Sequence, residues 1–252
     1  MRNGVLPLFV SRQSITPGIR SRCGLGEAAR SRGHNGAVTY RFLRLVLSLL
    51  VYVLLRPQVT GLHNIPRRGP VILASNHLSF IDSIIIPLVV PRHVTFIAKA
   101  EYWTGHGLKG RLSRWFFTTM GHIPVDREDP RAGQRSLDDA LVVLKRGGAF
   151  GIYPEGTRSR DGKLHQGHTG VAWLALAGSA PVVPVALRGT DKVQPVGKRL
   201  PRPTRGIQVN FGAPIDPSRQ LTTGGRPAQV RRELTDHVMS SIHKMSGQEL
   251  AA

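Results

Sequence analysis

The sequence has one cysteine, Cys23, among its 252 residues. One thiol excludes an intrachain disulfide and a metal site built from several cysteines. Such scarcity is typical of proteins that fold in a reducing compartment. Cys23 lies in a poorly patterned arm, which argues against a catalytic thiol. No group of histidines and carboxylates has the spacing of metal ligands, so the sequence predicts neither a metal nor another bound cofactor.

Acidic side chains are also few. Lys and Arg total 35 against 15 Asp and Glu, which gives a formal charge of +20 and an isoelectric point near 11.5. This excess of positive charge makes an acidic polymer, an anionic membrane surface or a phosphorylated substrate a candidate partner. Aromatic residues are only 6% of the chain, and zinc-finger spacing, a stacking platform and a basic coiled coil are all missing. Nucleic acid is therefore an unlikely partner.

The first 36 residues have no lasting hydrophobic periodicity. They mix Gly and Ser with several arginines that are offset only by Glu27. This composition predicts a flexible basic arm over residues 1–36. A compact apolar core followed by a cleavage site of small residues is missing, so a secretory signal peptide is not expected.

Residues 37–56 are the most apolar stretch of the chain and predict a membrane-associated helix. The part without charges, residues 45–55, would span about 16 Å as a helix, against roughly 30 Å of bilayer hydrocarbon. Arg41 and Arg44 precede it and Arg56 follows it, which favours a helix lying in one leaflet with its arginines near anionic headgroups. The alternatives are a helix buried against the domain core and a tilted membrane span using residues 37–55.

From residue 57 to residue 252, short β runs alternate with amphipathic segments, which predicts one α/β domain. The predicted strands are 59–62, 71–75, 94–99, 122–126, 149–153, 182–187 and 207–211. The predicted helices are 79–89, 108–118, 137–146, 170–177 and 227–245, with Ser136 as the cap of the third. Single helices between strands indicate a largely parallel or mixed sheet flanked by helices, with functional groups where strands end.

His77 follows the second of these strands, and Asp82 comes five residues later. On one continuous helix the two side chains would point about 140° apart, so a regular helix cannot pair them. If His77 lies in a loop and a helix begins near Ser79, the carboxylate can fold back towards the imidazole as its orienter. The alternative is structural, because Ser79 and Asp82 also match the capping-box pattern. His122 and Asp126 are four residues apart on a predicted strand. That spacing separates them by about 13 Å, which is too far for a hydrogen bond.

Cations follow three other strands. Lys99 closes the third strand, Arg127 follows the fourth, and Arg158 comes after the fifth within the segment Pro154-Glu155-Gly156-Thr157-Arg158. Cations that meet at neighbouring strand ends can bind a phosphorylated ligand, since guanidinium groups clamp phosphate oxygens. Arg160 fits an ordinary surface charge.

Four ordered motifs resemble the 1-acylglycerol-3-phosphate acyltransferase family. They are Asn76-His77 with Asp82, residues 121–127, residues 154–158 and residues 182–185. The resemblance covers roughly residues 57–215. Two departures are His122, where an apolar or small residue is familiar, and Pro124, which precedes Val125 where an aromatic residue is frequent.

The resemblance implies that His77 is the general base, that Asp82 orients it, and that Arg127, Arg158 and Lys99 bind the acceptor phosphate. Glu155, Gly156 and Thr157 would shape the third motif around the substrate. The implied co-substrates are an acyl donor, either acyl-CoA or acyl-carrier protein, and a lysophospholipid acceptor. The expected location is the cytoplasmic face of the membrane.

Three alternatives stay open from the sequence. The first changes the acceptor to another lysophospholipid or a lipid-linked glycan. The second changes the mechanism, because Ser75 and Ser79 are close enough to His77 for a covalent acyl-serine. The third is a non-catalytic basic module that binds anionic membrane or nucleic acid.

Overall fold

The computed structural model describes residues 34–126, 131–195, 197, 202, 204–221 and 225–251. Most of the predicted basic arm, residues 1–33, lies outside these residues, and so does Arg127. For residues 34–37, 220 and 221 only the backbone is described.

Seven strands form one mixed sheet, in the order β1-β7-β6-β2-β5-β3-β4. The strands are β1 Gln58–Thr60, β2 Val71–Ser75, β3 Val94–Lys99, β4 Ile123–Val125, β5 Ala149–Ile152, β6 Val182–Arg188 and β7 Gln208–Phe211. Every neighbouring pair is parallel except β6 and β7. The predicted strands and the mixed α/β sheet are thus confirmed.

The helices pack on both sides of the sheet. They are α1 His34–Leu55, α2 Asp82–Val89, α3 Glu101–Thr104, α4 Gly107–Met120, α5 Ala132–Lys145, α6 Gly170–Ala177, α7 Thr190–Val193, α8 Ser218–Leu221 and α9 Pro227–Ser246. One apolar cluster includes α2 residues such as Ile85 and Ile86, and a second joins α5, α6 and α9. The central strand β2 lies between β5 and β6 and is buried along its whole length. A continuous apolar run is what a strand covered on both faces requires.

The start of α5 differs from the sequence prediction. Ser136 was expected to cap a helix over 137–146, but α5 begins at Ala132. The Ser136 hydroxyl donates to the Ala132 carbonyl, 2.7 Å away and one turn earlier. Ser can also make this bond inside a helix, so its presence alone does not locate a helix start.

One side of helix α1 packs against the domain. Ser48 Oγ donates to the Leu88 carbonyl at 3.2 Å, and the Arg44 guanidinium donates to the Val90 carbonyl. Arg44 therefore binds the domain, where the sequence suggested a lipid headgroup.

The opposite side of α1 is apolar and exposed. Phe42, Leu45, Leu49 and Val53 are each more than 60% exposed, and only 11% of the segment Val38–Leu55 is buried. This exposure contradicts the alternative of a helix buried in the core. Within the described residues, α1 is the one helix long and apolar enough to cross a membrane by length and composition.

Candidate active site

Asn76 joins the end of β2 to the neighbouring strand β6. Its buried side-chain amide donates to the Leu187 carbonyl at 2.9 Å, and its Oδ1 accepts the Leu187 N–H at 2.8 Å. These paired bonds replace the ladder where β2 ends and hold the chain as it leaves the sheet. The position of His77, the next residue, is therefore fixed by the sheet.

His77 and Asp82 form the predicted pair. His77 Nδ1 lies 2.9 Å from Asp82 Oδ2, and the carboxylate is fully buried while the imidazole is 12% exposed. The same Oδ2 accepts the N–H groups of Leu78 at 2.8 Å and Ser79 at 2.7 Å. Three donors on one oxygen fix the carboxylate, and its bond to Nδ1 leaves Nε2 as the ring nitrogen that can take a proton.

Only one of the two hydrogen bonds of a capping box is present here. Asp82 is the first residue of α2, and its carboxylate accepts the Ser79 N–H as the acidic residue of a capping box does. The Ser79 hydroxyl instead donates to the Gln194 carbonyl at 2.7 Å. Asp82 thus has a structural bond and a bond to His77 at the same time.

The loop after β5 binds both the backbone N–H and the backbone carbonyl of His77. Glu155 Oε1 accepts the His77 N–H at 3.2 Å, and Glu155 Oε2 accepts the His165 N–H at 3.0 Å. Ser159 N–H donates to the His77 carbonyl at 2.8 Å. Burial raises the pKa of the Glu155 carboxyl, and the two N–H bonds oppose this. Glu155 thus binds the backbone of His77 and of His165 and acts as a clamp behind the catalytic candidate.

Gly156 allows the tight turn that this loop needs. Its φ is +71°, in the left-handed region, and its N–H donates to the Tyr153 carbonyl at 2.9 Å. A Cβ at this position would lie 3.2 Å from the His168 ring. Glycine therefore suits both the backbone conformation and the space.

Tyr153 stacks on the imidazole of His77. The ring centroids are 3.8 Å apart and the planes differ by 10°. The Tyr153 hydroxyl is 2.9 Å from Ser83 Oγ on α2. Burial, followed by the negative charge of Asp82, raises the pKa of Tyr153 well above its ordinary value, so the phenol stays neutral. The stack limits ring rotation of His77, a role that the sequence did not predict.

A cavity of about 220 Å³ opens beside this pair. Its lining combines apolar and cationic side chains and is formed by His77, Phe80, Ser83, Ile97, Ala98, Lys99, Tyr102, Phe117, Tyr153, Gly156, Thr157, Arg158 and Arg160. Two larger cavities, of about 460 and 580 Å³, lie elsewhere and neither includes His77. The chemistry of the lining, and not its volume, therefore identifies the candidate site.

The structure brings most of the predicted cations to this cavity. Lys99, Thr157 and Arg158 line it, and so does Arg160, which the sequence suggested was an ordinary surface charge. Lys99 Nζ lies 3.7 Å from Glu101 Oε1, with both side chains largely exposed. Arg127 lies outside the described residues. In the part of the chain that is described, no cluster of His, Cys, Asp and Glu could hold a metal ion.

A second His–Asp pair was missed from the sequence. His165 Nε2 lies 3.0 Å from Asp161 Oδ1, but both side chains are nearly half exposed. Asp161 precedes His165 by four residues, and the sequence singled out neither as part of a pair. This exposed pair provides a matched control for the buried one.

The serines beside His77 are not arranged as nucleophiles. Ser75 Oγ donates to the Asn76 carbonyl at 2.9 Å, and Ser79 Oγ donates to Gln194. Both residues are buried and neither lines the cavity. A histidine with one nitrogen fixed by a carboxylate can instead act as a general base on a hydroxyl that enters the cavity.

His122 is buried behind the cavity and gives a prediction about acid stability. Its Nδ1 accepts the Phe96 N–H at 3.3 Å, and burial, assisted by nearby His93, lowers its pKa to about 4 from 6.5. The unfolded chain therefore binds a proton that the folded chain excludes between these pH values. The contribution of neutral His122 to the free energy of unfolding is therefore fully present above pH 6.5. It is lost as the pH drops towards 4, by about 3 kcal/mol in all.

Replacing His122 by Asn keeps an acceptor near Phe96 N–H and removes the titrating group. We expect denaturant titrations between pH 7 and pH 4.5 to show a shallower loss of stability for His122→Asn than for the unmodified chain. His63→Asn, at an exposed position, is the control and should retain the full pH dependence. Equal slopes for all three proteins would contradict a buried neutral His122.

Comparisons with known proteins identify the family of the chain. The Acyltransferase family model matches residues 56–188, which contain the His77–Asp82 pair and the loop after β5. A chloroplastic 1-acyl-sn-glycerol-3-phosphate acyltransferase from Brassica napus is 34% identical over 61% of this chain and 43% of its own length. The Bacillus subtilis 1-acyl-sn-glycerol-3-phosphate acyltransferase is 29% identical over 64% of this chain and 75% of its own length.

Among solved structures, the 1-acyl-sn-glycerophosphate acyltransferase PlsC from Thermotoga maritima has a similar fold. The TM-score is 0.63 with 25% identity, over 88% of this chain and 86% of that one. The chain spans less than half of the length of the Brassica napus relative, 43%, and of a chloroplastic 1-acyl-sn-glycerol-3-phosphate acyltransferase from Arabidopsis thaliana, 48%. The family match covers more than half of this sequence and includes every residue that lines the cavity beside His77. The chain belongs to the Acyltransferase family.

Proposed function

We propose that this protein transfers a fatty acyl group from a thioester donor to the free hydroxyl of 1-acylglycerol 3-phosphate, which yields phosphatidic acid. The observation that carries the proposal is the buried His77–Asp82 pair beside a cavity lined in part by cations. The names of the relatives agree with this reaction. The donor is acyl-CoA or acyl-carrier protein.

In the proposed reaction, His77 Nε2 takes the proton of the acceptor hydroxyl as its oxygen attacks the thioester carbonyl. The tetrahedral intermediate then collapses, the carbon–sulfur bond breaks, and the leaving thiolate takes the proton from the imidazolium. Asp82 holds the Nδ1–H and stabilises the positive charge that forms on the ring. Assistance by a positioned base contributes about 10²- to 10⁴-fold in rate.

The hydrogen bonds of the His77 loop limit where the oxyanion can bind. The N–H groups of Leu78 and Ser79 already donate to Asp82, and that of His77 donates to Glu155. These three N–H groups are therefore not free to donate to an oxyanion. We assign that role instead to donors elsewhere in the cavity lining.

The cationic residues that line the cavity form the proposed phosphate site. Arg158 and Arg160 can each present a planar pair of donors, Lys99 adds a point charge, and Thr157 adds a hydroxyl. Arg127 is proposed as a further ligand from its position in the sequence. This arrangement favours an acceptor with a phosphomonoester over one with an uncharged headgroup.

Arg158→Ala tests the phosphate site with an acceptor panel. We expect its kcat/KM for 1-acylglycerol 3-phosphate to fall about 10- to 100-fold, since a hydrogen bond to a charged group contributes roughly 1.5–3 kcal/mol. Turnover of 1-acylglycerol, which has no phosphate, should be slow and unaffected by the substitution. The measurement is transfer of labelled acyl groups from acyl-CoA, with thin-layer separation of the products.

Arg146→Ala, at an exposed position that ends α5, is the matched control and should leave both rates unchanged. If Arg158→Ala slows the two acceptors equally, the phosphate is bound elsewhere. If the unmodified protein turns over a lipid-linked glycan better than either acceptor, the alternative acceptor replaces the proposal.

The exposed apolar side of α1 supports a membrane location. We propose that α1 lies in one leaflet, so that the protein meets an acceptor that is itself a membrane lipid. The cytoplasmic face is the proposed side of the membrane. The division into a basic arm over 1–36, a membrane helix over 37–56 and an acyltransferase domain over 57–252 is part of the same proposal.

A further inference from the structure

Helix α4 has two apolar faces. Gly110, Phe117 and Met120 are buried against the domain. Leu108, Leu112 and Trp115 are 81%, 61% and 46% exposed. At 100° per residue these three exposed side chains fall within about 60° of one another, and Leu108 is about 180° from Phe117. They form one ridge, the α4 ridge, on the exposed side of the helix opposite Phe117.

The edges of the α4 ridge are basic. Lys109, Arg111 and Arg114 are exposed, and α4 contains no acidic residue. Arg114 also donates to the Trp103 carbonyl at 2.8 Å, which holds it beside the helix. A line of Leu and Trp with Lys and Arg beside it is typical of a helix that lies at the surface of an anionic bilayer.

Helix α4 connects two parts of the molecule that concern lipid. It packs next to α1, whose free side is also apolar. Its inner residue Phe117 lines the cavity beside His77 and stacks on Tyr102 at a centroid distance of 4.4 Å. One helix therefore has the cavity on one side and the α4 ridge on the other.

We propose that the α4 ridge is a second membrane contact, in which Leu108, Leu112 and Trp115 enter the lipid and Lys109 and Arg111 meet anionic headgroups. Together with α1 it fixes the tilt of the domain and holds the cavity wall at the lipid surface. The last point rests on the proposed function, but the membrane contact itself does not. A second copy is a poor occupant, because its basic edges and the chain's net charge of +20 would repel.

Fluorescence of Trp115 tests the contact in the full chain. The sequence has two other tryptophans, Trp103 and Trp173, so the Trp115 signal is the difference between the unmodified protein and Trp115→Phe. We expect vesicles of phosphatidylcholine and phosphatidylglycerol with brominated acyl chains to quench this difference signal. A difference signal that is unchanged by brominated lipid would overturn the proposal.

Vesicle partition gives a second measurement. The double variant Leu108→Ser with Leu112→Ser should need at least about tenfold more lipid for half-maximal binding, since each leucine loses apolar burial. Leu250→Ser, another exposed apolar side chain, should bind as the unmodified protein does. Equal partition of all three proteins would overturn the proposal.

Two further results would point to another occupant and overturn it. One is a double variant that loses binding of an acidic carrier protein while its vesicle binding is unchanged. The other is a dimer of the unmodified protein in sedimentation that the double variant abolishes. Acyl transfer to an acceptor kept below its micelle concentration should be equal in the double variant and the unmodified protein. A failure of the proposed function would abolish transfer in both, without affecting the binding results.

Discussion

Asp82→Asn is expected to lower kcat by about 10³- to 10⁴-fold, the size of effect that follows when a base histidine loses its orienting carboxylate. Asp82 Oδ2 accepts three N–H groups, whereas its buried Oδ1 accepts no hydrogen bond from the described residues. An amide cannot satisfy this environment in either orientation. With its oxygen at the Oδ2 position, the amide lacks the negative charge that stabilises an imidazolium, and its NH₂ is buried at the Oδ1 position.

In the other orientation the NH₂ group faces the N–H groups of Leu78 and Ser79. His77 can then only accept at Nδ1, which moves its proton to Nε2 and removes the base. The measurement is steady-state acyl transfer by Asp82→Asn, together with its thermal unfolding to confirm a folded protein. Asp161→Asn makes the same change in the exposed pair and should retain the unmodified rate. A folded Asp82→Asn protein with unmodified activity would show that Asp82 is only a cap for α2.

His77→Ala is expected to reduce acyl transfer by about 10⁴-fold, at least as much as Asp82→Asn, because no other group among the described lining residues replaces Nε2 as a base. The substitution also removes the ring that stacks on Tyr153 and leaves a space in the lining. Added imidazole should enter that space and restore part of the rate. Vesicle binding should be unchanged, since His77 lies on neither α1 nor the α4 ridge.

His165→Ala is the matched control, because its side chain pairs with Asp161 while its backbone N–H still reaches Glu155. We expect it to retain the unmodified rate. A non-catalytic basic module would give no acyl transfer with any of these proteins, while a purified His77→Ala protein with the unmodified rate would exclude His77 as the base.

The sheet could be predicted from the sequence because its strands are short apolar runs between turns. Strand β2 is five consecutive buried residues, and the predicted bounds of β2, β3 and α6 match the observed ones. The four-residue helices α3, α7 and α8 were not predicted. One turn of helix is too short to show a hydrophobic period, so tertiary contacts decide whether it forms.

The site could be predicted where its contacts are local. His77 and Asp82 are five residues apart, and geometry alone limits how such residues can meet. The clamp by Glu155 joins residues 78 positions apart, and the Asn76 bonds to Leu187 join residues 111 apart. These contacts depend on the order of β5, β2 and β6 in the sheet, which no local pattern contains. Arg160 was missed for the same reason, because its approach to the cavity depends on the turn of the loop after β5.

The most direct test of the proposed mechanism is a rapid-quench experiment that follows both products of one turnover. The purified protein is mixed with labelled acyl-CoA, with and without 1-acylglycerol 3-phosphate, and free CoA and phosphatidic acid are both counted. If the acyl group passes directly to the acceptor with His77 as the base, CoA and phosphatidic acid should appear together at one rate when the acceptor is present. Neither product should appear when it is absent. A stoichiometric burst of CoA without acceptor would contradict direct transfer, and CoA release without phosphatidic acid in the complete mixture would contradict the proposed reaction.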